Sequence, residues 1–358
     1  MVPSKSSALG RLRNTMTTTL RLAIGNRQSP VVNCILAVVL GAVGLAGAQH
    51  DMQHMGHMHM PLAANVKLDV QNDEAAHVLT LRLGPLSLPA NAGMNVAQPP
   101  DLTMTVPFDG WFTAYHPRLV EPGGSPRPGR LLHHVAVYNL ARADFLCPRK
   151  PEHIFGAGGE MSDWPAMPGV GYRMEKGDQL LISTMVHNPT AVGYPAVYLE
   201  IRIEYQPLVA GGPRLTDVYP AWFDVKQCGN SSYDLAPGPN VTSGEFTLPY
   251  DGTLIGLGGH LHDYGHELRV EDVTRRTAQT LTATLDSQGR LIAIPIHQFI
   301  EGFELTRGDM VKVTATYLNP TGKPLPDGAM GIAVGYFLPA DETALAALKR
   351  QPHSADSP

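Results

Sequence analysis

Gly177-Asp178-Gln179-Leu180-Leu181-Ile182-Ser183-Thr184-Met185-Val186-His187-Asn188-Pro189-Thr190 reads as turn, strand, turn. Starting 131 residues further on (177 to 308), the chain repeats the plan: Gly308-Asp309-Met310-Val311-Lys312-Val313-Thr314-Ala315-Thr316-Tyr317-Leu318-Asn319-Pro320-Thr321. The Gly-Asp and Asn-Pro-Thr ends keep identical spacing. A repeat of this kind predicts two related domains. Around it the residues alternate apolar and polar, as in Leu102–Val106, Tyr198–Tyr205 and Val311–Tyr317. A period of two marks half-buried antiparallel strands. Helical periodicity is confined to Glu342–Arg350 at the C-terminus. The predicted class is therefore all-β, with two tandem antiparallel sandwiches spanning 66–212 and 213–340 and a tail over 341–358. Gly211, Gly212 and Pro213 interrupt the strands at the expected boundary.

The 358 residues suffice for two domains, and 43% hydrophobic residues suffice for a sizeable core. Spread along the chain, 36 Gly and 31 Pro suit many short strands joined by tight turns. A net charge of −5 and a pI near 6.3 give no general attraction to nucleic acid or anionic membranes. Residues 1–48 have the form of a signal peptide. Basic residues precede an apolar run from Val31 to about Leu45, which ends in Ala46-Gly47-Ala48. The alternative is a retained anchor, although the run is shorter than the ~20 apolar residues that span a bilayer. Export follows, to a periplasm or the exterior. Cleavage would remove Cys34 and leave Cys147 and Cys228, either as one disulfide or as two buried thiols.

Residues 49–65 form a biased leader. His50, Met52, His54, Met55, His57, Met58, His59 and Met60 crowd eleven positions, a composition suited to loose copper capture. Within the core, His260-Leu261-His262 places two imidazoles on one face of a strand, where both can reach one ion. Gly256, Gly258 and Gly259 precede them and permit a bulge or a close backbone approach. His133 and His134 are adjacent, so they share a site only if the strand bulges there. Otherwise one imidazole lies in the core and the other at the surface. His187 sits at a strand end. Met330 by itself reads as a core or turn methionine.

Taken in order, His-His, a strand ending Val186-His187, His-x-His and a late Met resemble the copper type II, ascorbate-dependent monooxygenases. Peptidylglycine-hydroxylating enzymes and dopamine β-hydroxylases belong to that family. Gly169–Arg173 and Gly308–Val311 add to a resemblance that covers roughly residues 100 to 338. It implies two jelly-roll domains with a cleft between them and two copper ions per chain. His133, His134 and His187 would hold one ion. His260, His262 and Met330 would hold the other, at which dioxygen and a small-molecule substrate meet and where catalysis is placed. The implied reaction is hydroxylation of a C–H bond, with ascorbate or another one-electron reductant as co-substrate. The mature chain would have no nucleic-acid partner and no stable membrane span.

Departures from the family pattern bear on the substrate. Where peptide-amidating members place an Arg to hold a carboxylate, this chain has Gly258. Their Asn and Tyr after the Met are Ile332 and Val334 here, and a frequent Gln before the third His is Met185. A peptidyl-glycine substrate is thus disfavoured, and an apolar or aromatic one expected. The competing reading is an exported copper-binding or copper-delivery protein on the same scaffold. Asp263 and Tyr264, beside the His-x-His, are candidates to orient an imidazole. His116, His266 and His297 are candidates for supporting or surface positions.

Overall fold

A computed structural model describes residues 65–92, 97–160 and 163–346. The expected signal peptide, nearly all of the His/Met leader and most of the tail lie outside the described residues. Nearly all regular structure is strand, as the alternation predicts. The helix expected over Glu342–Arg350 is described for Glu342–Ala346. Among the described residues, no helix is long and apolar enough to cross a membrane.

One six-stranded sheet runs in the order Lys67–Asp73, Val78–Leu88, Tyr194–Pro207, Gly110–Val120, Val170–Met174, Thr216–Asp217. A four-stranded sheet follows the order Leu102–Thr105, Gln179–Val186, Leu132–Ala143, Pro151–Gly158. In the C-terminal half, Tyr219–Asp224, Gly331–Pro339, Gly252–Leu261 and His297–Leu305 form a third sheet. Gly238–Thr247, Met310–Asn319, Gly265–Asp272 and Thr277–Thr282 form a fourth. Among the described residues, every pairing between these strands lies either at or before Asp217 or at or after Tyr219. Tyr194–Pro207 shows why the pattern folds as it does. Leu199, Ile201, Ile203 and Tyr205 are buried in the first core, while Arg202 and Glu204 face solvent. Glu200, on the same face as Arg202 and Glu204, is buried beneath its cross-strand neighbours and is held by Arg118 at 2.5 Å.

The two copies of the repeat are built alike. Gly177 and Gly308 both have positive φ, 100° and 87°, in turns that only glycine adopts without strain. Asp178 and Asp309 each accept the backbone N–H of the residue three before, Glu175 and Thr306. Asn188 donates its amide to the carbonyls of Leu88, Pro89 and Val192, and Asn319 does the same to Leu235, Ala236 and Lys323. Thr190 and Thr321 both donate to the Asn side-chain oxygen. Each Asn thereby satisfies a loop's buried carbonyls, which explains why the tripeptide recurs at fixed spacing.

The halves are packed together. Val334 and Tyr336 from the C-terminal half belong to the first core, and Phe145 from the N-terminal half belongs to the second. Trp222 stacks on His153 at 3.3 Å between ring centres, and Tyr138 covers the other side of His153 at 4.2 Å. A disulfide between Cys147 and Cys228, with Cα atoms 5.6 Å apart, staples the halves covalently and settles the fate of the two core cysteines.

Candidate metal centre

His133 and His134 open the strand Leu132–Ala143, and the strand bulges at that point. Leu132 pairs with Val186 and His134 with Met185, so His133 is an extra residue in the ladder. Two adjacent histidines thereby escape the rule that neighbours face opposite ways. Their ring centres are 5.0 Å apart. His187, one residue past the end of Gln179–Val186, lies 5.2 Å from His133. Its backbone N–H donates to the carbonyl of Leu131, which fixes its place beside the bulge.

His260 and His262 stand at the end of Gly252–Leu261, with ring centres 5.3 Å apart. Gly259 clears space there, since a Cβ on it would lie 2.5 Å from Leu268. The two sequence-defined sets are not held apart. His133 is 4.9 Å from His262, and His134 is 5.9 Å from His260. Four imidazoles form a closed ring of neighbours across the two halves, with His187 attached through His133. Leu261 pairs with Gly331, and the residues beside them, His262 and Met330, both donate their backbone N–H to the Tyr317 hydroxyl. Met330 is buried, between Leu325–Ala329 and Gly331–Pro339.

The ring nitrogens define what the cluster can bind. His187 Nε2 lies 2.6 Å from the carbonyl oxygen of Arg130, which can only accept, so Nε2 carries the proton. His187 Nδ1 is left with its lone pair and no partner. By the same logic His260 donates Nδ1–H to Glu160, leaving Nε2 free. His133 Nε2, His134 Nδ1 and both nitrogens of His262 are likewise buried without a hydrogen bond of normal geometry. Burial pushes His134 down to about 3, with the neighbouring His260 adding to the effect. His133 and His262 are also held well below the usual imidazole range, first by burial and then by the other rings. Burial lowers His187 as well, against the opposing pull of the Arg130 carbonyl. These four rings are neutral at neutral pH, with lone pairs available.

Buried polar atoms are normally hydrogen-bonded. Five imidazoles in one cluster, each able to offer one lone pair from a buried ring nitrogen, fit a donor set for a transition metal that accepts nitrogen ligands. Two imidazoles on one tetrahedral ion have ring centres about 5 Å apart, given metal–nitrogen distances of about 2 Å. The neighbour spacings match that figure. Among the described residues, no group of three or more His, Cys, Asp or Glu side chains is already arranged to hold a metal ion.

Two residues that shape the cluster escaped the sequence reading. Glu160 is one hundred positions from His260, too far for any local pattern to reveal. Tyr317 reads as an ordinary strand residue, yet its hydroxyl accepts the backbone N–H groups of His262 at 2.9 Å and Met330 at 3.2 Å and donates to the Met330 carbonyl. Among the described residues, Asp263 makes no hydrogen bond to an imidazole. Its carboxylate takes the backbone N–H of Leu291. Tyr264 serves a turn with φ of 69°. His116 pairs with Asp163 and Glu204 away from the cluster, and His266 is exposed.

The chain is similar to a protein named probable copper-dependent oxygenase clz3 from Cochliobolus lunatus. Identity is 26% over 59% of this chain and 72% of that protein. A second relative, probable copper-dependent oxygenase M1 from a Phoma species, is 26% identical over 59% of this chain and 58% of its own length. No protein-family model matches the chain. A chain from the solved structure of Sulfolobus Turreted Icosahedral Virus aligns at a TM-score of 0.30 and 10% identity, over 81% of this chain and 97% of that one.

Proposed function

We propose that the chain is an exported copper-dependent monooxygenase that hydroxylates a C–H bond of an apolar or aromatic small molecule. His133, His134 and His187 would hold one copper ion, and His260, His262 and Met330 a second. The observation that carries this reading is the set of five histidines, drawn from both halves, each with a buried ring nitrogen that makes no hydrogen bond of normal geometry. The similarity to two proteins named probable copper-dependent oxygenases supports the same chemistry.

Bound copper would supply one-electron chemistry toward dioxygen, with the Met330 thioether favouring Cu(I) and the imidazoles serving both oxidation states. The reaction balances when a C–H bond and dioxygen, with two electrons and two protons, yield an alcohol and water. Ascorbate or another one-electron donor would provide the electrons. This chain's own residues orient and exclude water. The Arg130 carbonyl presents Nδ1 of His187, Glu160 presents Nε2 of His260, and Tyr317 fixes the backbone between His262 and Met330.

An apolar or aromatic substrate is in keeping with the absence of a carboxylate-binding Arg at Gly258 and with the side chains on the strand beside His260. Ile332 pairs with His260, and Val334 lies two residues further along the same strand. Val334 lines a crevice between the halves with Phe155, Trp164, Trp222 and Tyr336. The crevice has room for no more than about one water and is not itself a substrate site, although its apolar lining offers no cation to a carboxylate.

The test uses protein lacking residues 50–60, so that leader copper does not count. Two copper ions per chain are expected after dialysis, together with ascorbate-dependent oxygen uptake when small aromatic and aliphatic substrates are screened. Copper binding without oxygen uptake would leave a copper-delivery protein. A core that retains no copper would refute both.

A further inference from the structure

We propose that Glu160 is a positioning residue that makes the orientation of His260 depend on docking of the two halves, an inference that rests on the copper reading above. Glu160 follows the strand Pro151–Gly158 of the N-terminal half, whereas His260 belongs to the C-terminal half. Their side chains are 6% and 11% exposed, so the carboxylate contact is made away from solvent. The backbone of Glu160 is held across the same boundary, because Ile294 donates its N–H to the Glu160 carbonyl at 3.3 Å.

Three observations give this contact a role beyond packing. First, the acceptor on Nδ1 leaves Nε2 as the nitrogen with a free lone pair, and Nε2 is buried and unpartnered. A carboxylate behind a ligating imidazole fixes tautomer and ring angle and raises its basicity. Second, the neighbourhood is shaped around the carboxylate. A Cβ on Gly158 would come within 2.2 Å of a Glu160 carboxylate oxygen. Third, Gly158 pairs with His134, so the carboxylate stands beside the one first-half imidazole whose neighbour is His260. Separating the halves would remove the acceptor from His260 and free the ring to turn.

The experiment compares wild type, Glu160→Ala, Glu160→Gln and Gly158→Ala, all lacking residues 50–60. In metal-free protein, nitrogen-edited proton NMR should show a slowly exchanging Nδ1–H resonance for His260. It should vanish in Glu160→Ala and persist in Glu160→Gln, whose amide oxygen still accepts. Copper affinity should fall about 10–100-fold in Glu160→Ala, with an altered Cu(II) EPR signal. Glu160→Gln should recover much of that loss. Gly158→Ala should show the same direction as Glu160→Ala, because it displaces the carboxylate without removing it. Wild type that binds no core copper would overturn the oxygenase reading itself. Wild type that binds copper, beside a Glu160→Ala protein of equal affinity and unchanged EPR signal, would overturn the role of Glu160 alone.

Discussion

The hydroxyl of Tyr317 lies 2.9 Å from the backbone nitrogen of His262 and is bonded to both backbone polar groups of Met330. One donor and two acceptor positions are all a phenol has, and all three are used on two residues proposed to hold one ion. Tyr317→Phe would leave two buried N–H groups and one carbonyl without this partner. Stability should fall by about 1–3 kcal/mol, read as a lower urea midpoint with unchanged slope. In copper-loaded protein lacking the leader, the copper–sulfur contribution to X-ray absorption should weaken. Unchanged values for both would mean the hydroxyl holds nothing in place.

Gly156 controls how closely the halves approach. A Cβ there would meet the Trp222 ring at 2.5 Å, and that ring is already stacked flat on His153. Gly156→Ala should cost about 1–3 kcal/mol by overpacking and shift the tryptophan emission. A variant with wild-type stability and emission would show that Trp222 has room to withdraw.

The disulfide should carry a large part of the stability that keeps the halves together. Its partners are 81 residues apart in sequence, so reduction frees a long loop in the unfolded chain. Replacing Cys147 and Cys228 with Ser should lower stability by about 2–5 kcal/mol. Wild type should also change mobility on a denaturing gel when reduced. A gel that shows no such change would place both cysteines as thiols.

Asp144 supplies a pH dependence that does not involve the five clustered histidines. Burial pushes its carboxyl up to about 6, against the pull of the Leu146 and Cys147 backbone N–H groups that it accepts. A raised acid binds its proton more tightly when folded. Its contribution to stability is therefore full below about 4 and is lost as pH rises through about 6. Asp144→Asn keeps the acceptor oxygen and removes the charge. It should stabilise the protein by about 1–3 kcal/mol at pH 7.5 and by nothing measurable at pH 4. Equal effects at both values would contradict the assignment.

The alternating runs and the Gly-Asp to Asn-Pro-Thr repeat determined the all-β class and the recurrence of one strand unit, because strand periodicity and turn chemistry are local properties of neighbouring residues. The His-x-His pair was legible for the same reason. His133 and His134 were not, since whether adjacent side chains share a face depends on a bulge, and the bulge is set by the partner strand. Only the tertiary structure joined His133 to His262 and His134 to His260, gave His260 its acceptor in Glu160, and tied His262 to Met330 through Tyr317. It also decided that Cys147 meets Cys228. These contacts span dozens of residues or more, except the Tyr317–Met330 bond, which crosses between strands. Nothing in the spacing of a chain encodes a contact that arises only when two folded sheets pack against each other.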